Sequence, residues 1–276
     1  MRIKSYSKIN LSLRVIDKLK NGMHNIETNS VLINLFDEIE INIGKKDIIL
    51  FKGRFKNNIN LKKNTVKDTL VLLRKFNIIK NYYKIIVKKN IPIYAGLGGG
   101  TSNSASIVKY FLKNKFNEKI IKAFEQKIGS DFRLFLNNSS FQKNFRKVLK
   151  TQNNINYPLL VVFPYIDCKT KNIYRLVKNF SPQSGNIYLK RLNKNKFITA
   201  IKEDQNDLQK IVERKYLKIF QLIKIIKDQE GCIFSRMTGS GSACYGVFKS
   251  KKTAKFAMTK LKRKYPKYWC VITKTI

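Results

Sequence analysis

A glycine-rich stretch near the middle of the chain constrains its fold more than any other feature. Residues 91–106 read IPIYAGLGGGTSNSAS and contain four glycines but no charged side chain, although 57 of the 276 residues are lysine or arginine. The strand-like segment YYKIIVKK (82–89) precedes it, and an apolar stripe with helical spacing follows between Ile107 and Leu112. The sequence therefore predicts a strand, a tight glycine turn and a helix in direct succession.

Such a turn is a candidate phosphate site. The first N–H groups of a helix have no partner within the helix, and the helix dipole adds partial positive charge there. One dipole contact contributes only about 0.3–1 kcal/mol at an exposed site, so a triphosphate needs several backbone donors. The stretch lacks the lysine of a Walker A loop, and Thr101 stands where a dinucleotide fingerprint starting at Gly96 needs glycine. The alternative is a flexible turn between two core elements.

The rest of the chain mixes strands and helices without regular β-α-β alternation, which indicates an α+β fold. Alternation or short apolar runs predict strands at 9–15, 31–43, 48–51, 59–61, 82–89, 157–164, 232–237, 243–248 and 269–276. Helical spacing and capping residues predict helices at 64–77, from Asn103, at 117–127, 169–178, 206–227 and 251–264. We expect two domains, 1–150 and 151–276, with the boundary within KTQNNIN (150–156).

Composition narrows the class of protein. The chain is 43% apolar, has no run near the ~18 apolar residues of a membrane helix, and begins with an alternating segment rather than a signal peptide. One histidine and four cysteines without C-x-x-C spacing make a zinc site or a disulfide framework unexpected. We expect a cytoplasmic protein.

The net charge of +40 has two explanations, an anionic partner such as nucleic acid or membrane, and A/T-rich codon bias. The basic residues are scattered along the whole chain, which favours codon bias.

The glycine stretch also carries a family resemblance. PIYAGLGGGTSNSAS resembles the P-x-x-x-G-L-G-G-G-S-S-N-A-A segment of the superfamily of galactokinase, homoserine kinase, mevalonate kinase and phosphomevalonate kinase. Further segments, separated along the sequence, extend the resemblance over most of the chain. It implies a two-domain α+β kinase fold and ATP bound, with Mg²⁺, at the following positions: Pro92, Ile93, Tyr94, Ala95, Gly96, Leu97, Gly98, Gly99, Gly100, Thr101 and Ser102. Tyr94 and Thr101 depart from the pattern, in which position 94 is small and position 101 is serine.

Two further segments supply candidate catalytic residues. SKINLSLRVIDKLKNGMHNIETN resembles the superfamily's A-K-[IL]-N-L-x-L segment with a later G-Y-H, and IGSDFRLFL resembles G-[AS]-D-[VI]-P-F-F. The resemblance implies that Asp131 is the general base for the acceptor hydroxyl and that Lys8 lies beside that hydroxyl. Arg133 replaces the proline of the pattern. Taken alone, Asp131 is equally suited to cap a helix, and Lys8 is one lysine among many.

The remaining resemblance concerns the acceptor substrate. It implies that His24 bonds a cytosine edge and that Tyr174 covers one cytosine face, while Met23 stands where a stacking tyrosine is usual. PYIDCKTKNIY and TGSGSACYGVF match two more segments, and NNSSFQKNFRKVL lacks the glycines of the segment it should match. The substrate-binding residues implied are Asn10, Met23, His24, Thr170, Tyr174, Gly239 and Gly241.

These residues favour a kinase that phosphorylates an alcohol linked to cytidine diphosphate. The alternatives are another kinase of the superfamily, of the homoserine or mevalonate type, and a basic nucleic-acid-binding protein. For the kinase we expect a small-molecule substrate and ATP as partners, no specific nucleic acid, no membrane, and a monomer or homodimer. No residue is assigned as a metal ligand.

Overall fold

The computed structural model describes residues 1–57, 59–113, 115–144, 147–152, 155, 157–185, 188 and 192–276. The strands are β1 Arg2–Lys18, β2 His24–Gly44, β3 Ile48–Lys52, β4 Tyr82–Lys88, β5 Ser139–Asn144, β6 Lys147–Lys150, β7 Pro158–Phe163, β8 Cys232–Met237, β9 Cys244–Phe248 and β10 Trp269–Lys274. The helices are α1 Thr65–Lys75, α2 Gly99–Leu112, α3 Glu118–Ile128, the 3-10 helix η1 Ser130–Leu136, α4 Thr170–Tyr174, α5 Lys194–Glu203, α6 Asp207–Lys215, α7 Leu217–Lys227 and α8 Lys251–Lys264.

Two sheets organise these elements. One has the order β3-β4-β2-β5-β6 with β1 also paired to β2, and the other has the order β10-β7-β9-β8. The second sheet is antiparallel throughout, whereas β3 runs parallel to β4 in the first. Long strands and several helices in this mixed arrangement confirm the predicted α+β class.

The chain divides into two compact units. Unit 1 contains Met1–Lys8, Leu35–Ile93 and Gly98–Asn137, and unit 2 contains Ile9–Asn34, Tyr94–Leu97 and Asn138–Ile276. The strands β1 and β2 each contribute residues to both. The domain boundary that the sequence suggests near 150–156 stays a prediction, and three residues of that segment (153, 154 and 156) lie outside the described residues.

Unit 1 is built by α1, α2, α3 and η1 around β4 and the second half of β2. The strand β2 pairs with β4 from Glu38 to Gly44. Asn64 caps α1 by accepting from the Lys67 N–H, and Asn117 caps α3 by accepting from the Ile120 N–H. Both asparagines supply the side-chain oxygen that the first turn of a helix needs. The buried side chains of this unit include Leu70, Leu73, Ile85, Ile107, Val108, Phe124 and Phe132.

Unit 2 is built on the second sheet and α6, α7 and α8. Its core includes Leu160, Val162, Leu208, Ile219, Leu222, Phe248, Ala257 and Leu261. The strand β9 is buried along its whole length because neighbouring strands flank it and helices pack on the sheet. None of the helices in the described part of the chain combines the length and the apolar character that a bilayer crossing requires.

Several local predictions were wrong. Residues 59–61 form no strand, because the Asn60 side chain accepts from the backbone of Lys62 and Lys63 and turns the chain. The helix predicted over 206–227 is two helices, because Tyr216 leaves the helical region with φ −134° and ψ 87°. The helix predicted over 169–178 covers only Thr170–Tyr174, and α5, β5 and β6 were not predicted.

Candidate active site

Lys8 and Asp131 lie together in unit 1. The Lys8 Nζ is 3.3 Å from the Asp131 Oδ2. The lysine side chain is 4% exposed and the aspartate side chain is 35% exposed. Lys8 belongs to β1, and Asp131 is the second residue of η1. The arrangement places a buried ammonium behind a carboxylate that solvent and ligands can reach, and such an ammonium stabilises negative charge on nearby oxygens.

The helix η1 is packed closely against the start of α2. Phe132 stacks on Phe124 of α3, with ring centroids 5.1 Å apart and planes at 21°. A Cβ added to Gly98 would lie 2.5 Å from the Phe135 Cζ and 3.5 Å from the Lys8 Cε. Gly98 also has φ +69°, in the left-handed region that favours glycine. Only glycine fits here, and the Lys8 side chain lies beside the N-terminus of α2.

The first turn of α2 offers backbone donors. Gly98 is its N-cap, and no side chain among the described residues caps it. The Ser102 N–H donates to the Gly98 carbonyl at 2.9 Å, so the N–H groups of Gly99, Gly100 and Thr101 precede the first bond of the helix ladder. An anion bound there needs no lysine.

A buried polar network that sequence reasoning missed holds this turn. Lys89, the last residue before Asn90 and the glycine stretch, contacts the Asp37 carboxylate and donates to the Asn103 Oδ1 at 2.9 Å. The Asp37 Oδ1 accepts from the backbone N–H groups of Asn90 and Ile91 at 2.7 and 2.9 Å. The Asn103 amide donates to the Asp37 Oδ2 at 3.0 Å. The sequence gives little signal of this network, since Asp37 is one of three acidic residues in the mostly apolar segment VLINLFDEIEINI.

The serine of the predicted ATP segment is engaged within the protein. The Ser102 hydroxyl is 2.8 Å from the Ser5 hydroxyl and donates to the Tyr6 carbonyl, and the residue is 1% exposed. Thr101 lies near Gly129, whose added Cβ would be 3.5 Å from the Thr101 Oγ1. Thr101 therefore has the hydroxyl better placed for a ligand. Pro92 is buried and Ile93 half-buried in the same unit.

In unit 2, residues 94–97 pack on the turn between β8 and β9. The Ala243 N–H donates to the Ala95 carbonyl at 3.1 Å, and a Cβ on Gly96 would run into the Thr238 carbonyl. The Asn10 N–H donates to the Thr238 Oγ1 at 3.0 Å. Leu97 is buried, whereas Tyr94 is 54% exposed with φ +57°. Asn10, Gly96 and the 238–241 turn, which includes Gly239 and Gly241, are thus brought together.

The other predicted substrate residues of unit 2 lie on or near α4. The hydroxyls of Thr170 and Ser240 are 3.0 Å apart. Tyr174, at the end of α4, has its ring centroid 5.2 Å from that of His24, with the planes tilted by 35°. Met23 is 39% exposed. Partial burial, followed by the positive charge of Lys18, lowers the pKa of His24 below its usual 6.5, so the imidazole is neutral at pH 7.

Known proteins resemble the chain over its whole length. Residues 64–136 match the GHMP kinases N terminal domain, and residues 188–267 match the GHMP kinases C terminal domain. The 4-diphosphocytidyl-2-C-methyl-D-erythritol kinase of Pelagibacter ubique (strain HTCC1062) is 36% identical over 282 aligned residues, which cover 100% of this chain and 99% of the relative. The enzyme of the same name from Wolbachia pipientis wMel is 31% identical, with 99% and 98% covered. The chain belongs to the 4-diphosphocytidyl-2-C-methyl-D-erythritol kinase family.

Solved structures agree with the fold. A crystal structure of 4-(cytidine 5'-diphospho)-2C-methyl-D-erythritol kinase superposes with a TM-score of 0.78 at 22% identity, covering 99% of each chain. A mevalonate kinase superposes with a TM-score of 0.69 at 18% identity, covering 99% of this chain and 98% of the other. The predicted two-domain α+β kinase fold is confirmed, and membership of this kinase family makes the chain an ATP-dependent kinase.

Arg133, which replaces the proline of the superfamily pattern, links two helices. Its guanidinium donates hydrogen bonds to Glu118 and Glu125 of α3 and so connects η1 to α3. Among the described residues, no group of three or more histidine, cysteine, aspartate or glutamate side chains is arranged to hold a metal ion.

Proposed function

We propose that the chain transfers the γ-phosphoryl group of ATP to the 2-hydroxyl of 4-diphosphocytidyl-2-C-methyl-D-erythritol. The observation that carries the proposal is the buried Lys8 ammonium, 3.3 Å from the Asp131 carboxylate and beside Gly98 at the start of α2. It puts a base, a cation and backbone anion donors together within one unit.

ATP binds to the segment Pro92–Ser102 in this proposal. The N–H groups of Gly99, Gly100 and Thr101 hold phosphate oxygens, and the Asp37–Lys89–Asn103 network keeps that turn in place before ATP arrives. Preorganised donors of this kind stabilise charge without reorganising during the reaction. The excess of positive charge on the chain attracts the anionic nucleotide from a distance.

Asp131 orients the acceptor hydroxyl and takes its proton. A carboxylate is a weak base toward an alcohol, but phosphoryl transfer passes through a loose transition state in most analyses, where alignment and charge stabilisation dominate. Lys8 stabilises the negative charge that develops on the attacking oxygen and on the transferred group. Because the lysine is buried and the aspartate is not, the substrate reaches the carboxylate first.

When bound together with ATP, Mg²⁺ would supply positive charge that offsets the charge of the phosphates. Magnesium usually binds through one or two protein groups together with substrate phosphates, and it keeps several waters. Thr101 offers a hydroxyl, since that of Ser102 already bonds Ser5 and Tyr6. The residues present fit an ion that arrives on the nucleotide.

The cytidine end of the substrate binds in unit 2. Neutral His24 has one donor and one acceptor for the cytosine edge, and Tyr174 beside it contributes an aromatic face. Met23 contributes a polarizable thioether, which contacts rings favourably. Asn10, Thr170, Gly239 and Gly241 complete the substrate site that we propose.

A coupled assay that follows ADP release tests the assignment. We expect ATP-dependent turnover with 4-diphosphocytidyl-2-C-methyl-D-erythritol and none with homoserine or mevalonate at the same concentration. Turnover of homoserine or mevalonate alone would reverse the choice of substrate. Steeply salt-dependent binding of DNA or RNA, without kinase activity, would replace the kinase by the nucleic-acid-binding alternative.

We further propose that the protein works in the cytoplasm as a monomer or homodimer. The catalytic pair and the α2 donors all come from one chain, so a second copy is not required for the chemistry. Light scattering on the purified protein, with and without ATP, measures the oligomeric state directly.

A further inference from the structure

The catalytic aspartate sits on a short element that needs outside support. The helix η1 has seven residues in 3-10 geometry, which has poorer hydrogen bonds than an α-helix and is uncommon beyond three or four residues. Asp131 lies in its first turn, with a side chain one-third exposed. The position of the carboxylate therefore depends on what fastens η1 to its surroundings.

Arg133 provides such a fastening, two residues after Asp131. Its guanidinium donates to Glu125 at 2.9 and 3.2 Å and to Glu118 at 2.8 and 3.1 Å. The arginine side chain is only 13% exposed, and that of Glu125 is 14% exposed. The hydrogen bonds to Glu125, and then those to Glu118, raise the pKa of Arg133 above its usual value. Two bidentate contacts on one planar group fix its orientation as well as its charge.

Both glutamates that bind Arg133 belong to the same helix, α3. Glu118 is the first residue of α3, and Glu125 lies two turns later on the same helix. Phe124, between them, stacks on Phe132 of η1. Arg133 therefore ties η1 to α3 beside an aromatic stack, on the element that also packs Phe135 against Gly98.

We propose that Arg133 is a positioning residue for phosphoryl transfer, which acts through the Glu118 and Glu125 contacts to fix Asp131 beside Lys8. This inference rests on the proposed function. The superfamily segment that the sequence resembles has proline at this position, and proline stiffens the backbone by fixing φ. In this chain a side-chain clasp supplies the restraint.

The test compares two ways of opening the clasp with a matched control. Arg133→Gln removes the guanidinium, and Glu118→Ala/Glu125→Ala removes its partners while the arginine charge stays. Arg74→Gln is the control, because Arg74 makes a bidentate pair with Asp47 at 2.7 and 2.8 Å in the same unit but away from η1. For each variant kcat, KM for ATP, melting temperature and the stoichiometry of ATP binding by calorimetry are measured.

We expect both clasp variants to lose about 10- to 100-fold in kcat, because misplacing a catalytic group by about 1 Å costs roughly 100-fold. The KM for ATP should stay within twofold and one ATP should still bind per chain, which shows that all molecules are folded. Arg74→Gln should keep the kcat of the unmodified protein even if its melting temperature falls equally.

Three results would overturn the inference. One is a kcat within twofold of the unmodified protein for Arg133→Gln. Another is a normal kcat for Glu118→Ala/Glu125→Ala with a low kcat for Arg133→Gln, which would make Arg133 a source of charge rather than a positioning residue. The third is an equal loss in the control. The proposed function fails separately, if the unmodified protein has no activity on the diphosphocytidyl substrate.

Discussion

The proposed catalytic region of unit 1, around Lys8, Gly98 and Asp131, and the proposed base-binding region of unit 2, around Met23, His24 and Tyr174, are built in opposite ways. In unit 1, Lys8 has a 4% exposed side chain and an ion-pair partner, and Gly98 is packed so tightly that a single added carbon meets Phe135. In unit 2, His24 touches Tyr174 through a tilted ring contact, and Met23 is 39% exposed. One region is closely packed before any ligand binds, whereas the other presents open faces.

The difference agrees with the ligand groups that we propose for each region. Charge that develops during phosphoryl transfer is stabilised only by groups already held in place, so small displacements in unit 1 are costly. A nucleobase face accepts any flat or polarizable neighbour, so methionine can stand in for an aromatic ring at modest cost. We therefore expect substitutions in unit 1 to change turnover and substitutions in unit 2 to change substrate affinity.

The sharpest test of this contrast is Asp131→Asn. A positioned general base contributes about 10²–10⁴-fold, so we expect kcat to fall by about 1,000-fold while ATP binding stays within a few-fold. Steady-state kinetics and calorimetric ATP binding measure the two quantities. Asp68→Asn is the matched control, since Asp68 is a partly exposed carboxylate of the same unit with a lysine 3.7 Å away. Turnover that survives in Asp131→Asn would remove this residue from the mechanism.

Gly98→Ala tests the tight packing of unit 1. Gly98 and Gly22 both have positive φ, but a Cβ on Gly98 meets Phe135 at 2.5 Å, whereas a Cβ on Gly22 meets nothing within 4 Å. Gly22→Ala is therefore the matched control. Alanine at either position has the cost of a left-handed backbone, and Gly98→Ala adds overpacking that costs about 1–3 kcal/mol. Urea unfolding should therefore show Gly98→Ala to be less stable than Gly22→Ala by this amount. Equal stability of the Gly98→Ala and Gly22→Ala variants would show that η1 can shift to accommodate the added methyl group.

Met23→Tyr tests the open face of unit 2. Stacking on an aromatic side chain is worth about 1–3 kcal/mol per base, and the thioether already supplies about 0.3–1.5 kcal/mol of ring contact. The net gain of about 1 kcal/mol predicts a roughly fivefold lower KM for the diphosphocytidyl substrate. The kcat should not change, because residue 23 is not expected to touch the phosphate. A changed kcat with an unchanged KM would contradict the expectation that unit 2 controls substrate affinity and unit 1 controls turnover.

His24 adds a pH dependence to the same region. Its pKa lies below 6.5, so the ring is neutral at pH 7 and gains a proton only as the pH falls below that value. The protonated ring has two donors and no acceptor. Losing a hydrogen bond worth about 0.5–1.5 kcal/mol should raise the KM of the cytidine substrate about two- to tenfold. The KM should be flat from pH 7 to 8 and rise only as the pH falls below 6.5. In His24→Ala that rise should be absent, and its persistence would assign the proton to another group.

The sequence predicted the contrast only in part. The resemblance of the segments that contain Lys8, Gly98 and Asp131 predicted that these residues act together. The structure brings them close to one another within unit 1, and their roles stay a prediction. The Asp37–Lys89 contact was not predicted, because it joins β2 to the residue after β4, 52 residues away, and leaves no local pattern. The Arg133 clasp was missed for a related reason: its glutamate partners lie 8 and 15 residues away, and their role depends on how η1 turns.

The fold shows the same limit. Apolar alternation located β4 and β9, but β5 has the polar sequence SSFQKN, in which burial comes from pairing with β2 rather than from apolar side chains. Tyr216 ends a helix by its backbone angles, although its neighbours on both sides continue the helical pattern. Local patterns therefore predict an element when its own apolar side chains explain its burial. They fail when a partner distant in the sequence determines the structure.

Tyr94→Gly has the smallest expected effect. It tests whether the positive φ of Tyr94 in unit 2 strains the backbone. Tyr94 has φ +57°, in the left-handed region, and the following Ala95 and Gly96 contact residues 238–243. A bulky residue there costs roughly 1–2 kcal/mol, and the greater freedom of glycine in the unfolded chain offsets about 0.5–1 kcal/mol of the relief. Unfolding in urea should show Tyr94→Gly to be about 0.5–1 kcal/mol more stable.

Asn77→Gly is the control for this stabilisation. Asn77 also has positive φ, at +55°, but asparagine enters the left-handed region far more readily than tyrosine. Its replacement should therefore give no gain. A gain in Tyr94→Gly combined with weaker ATP binding would mean that unit 2 carries a strained tyrosine because its exposed ring contacts the nucleotide. The same gain with unchanged ATP binding would restrict nucleotide recognition in this segment to its backbone, as the bare glycine turn of unit 1 already requires.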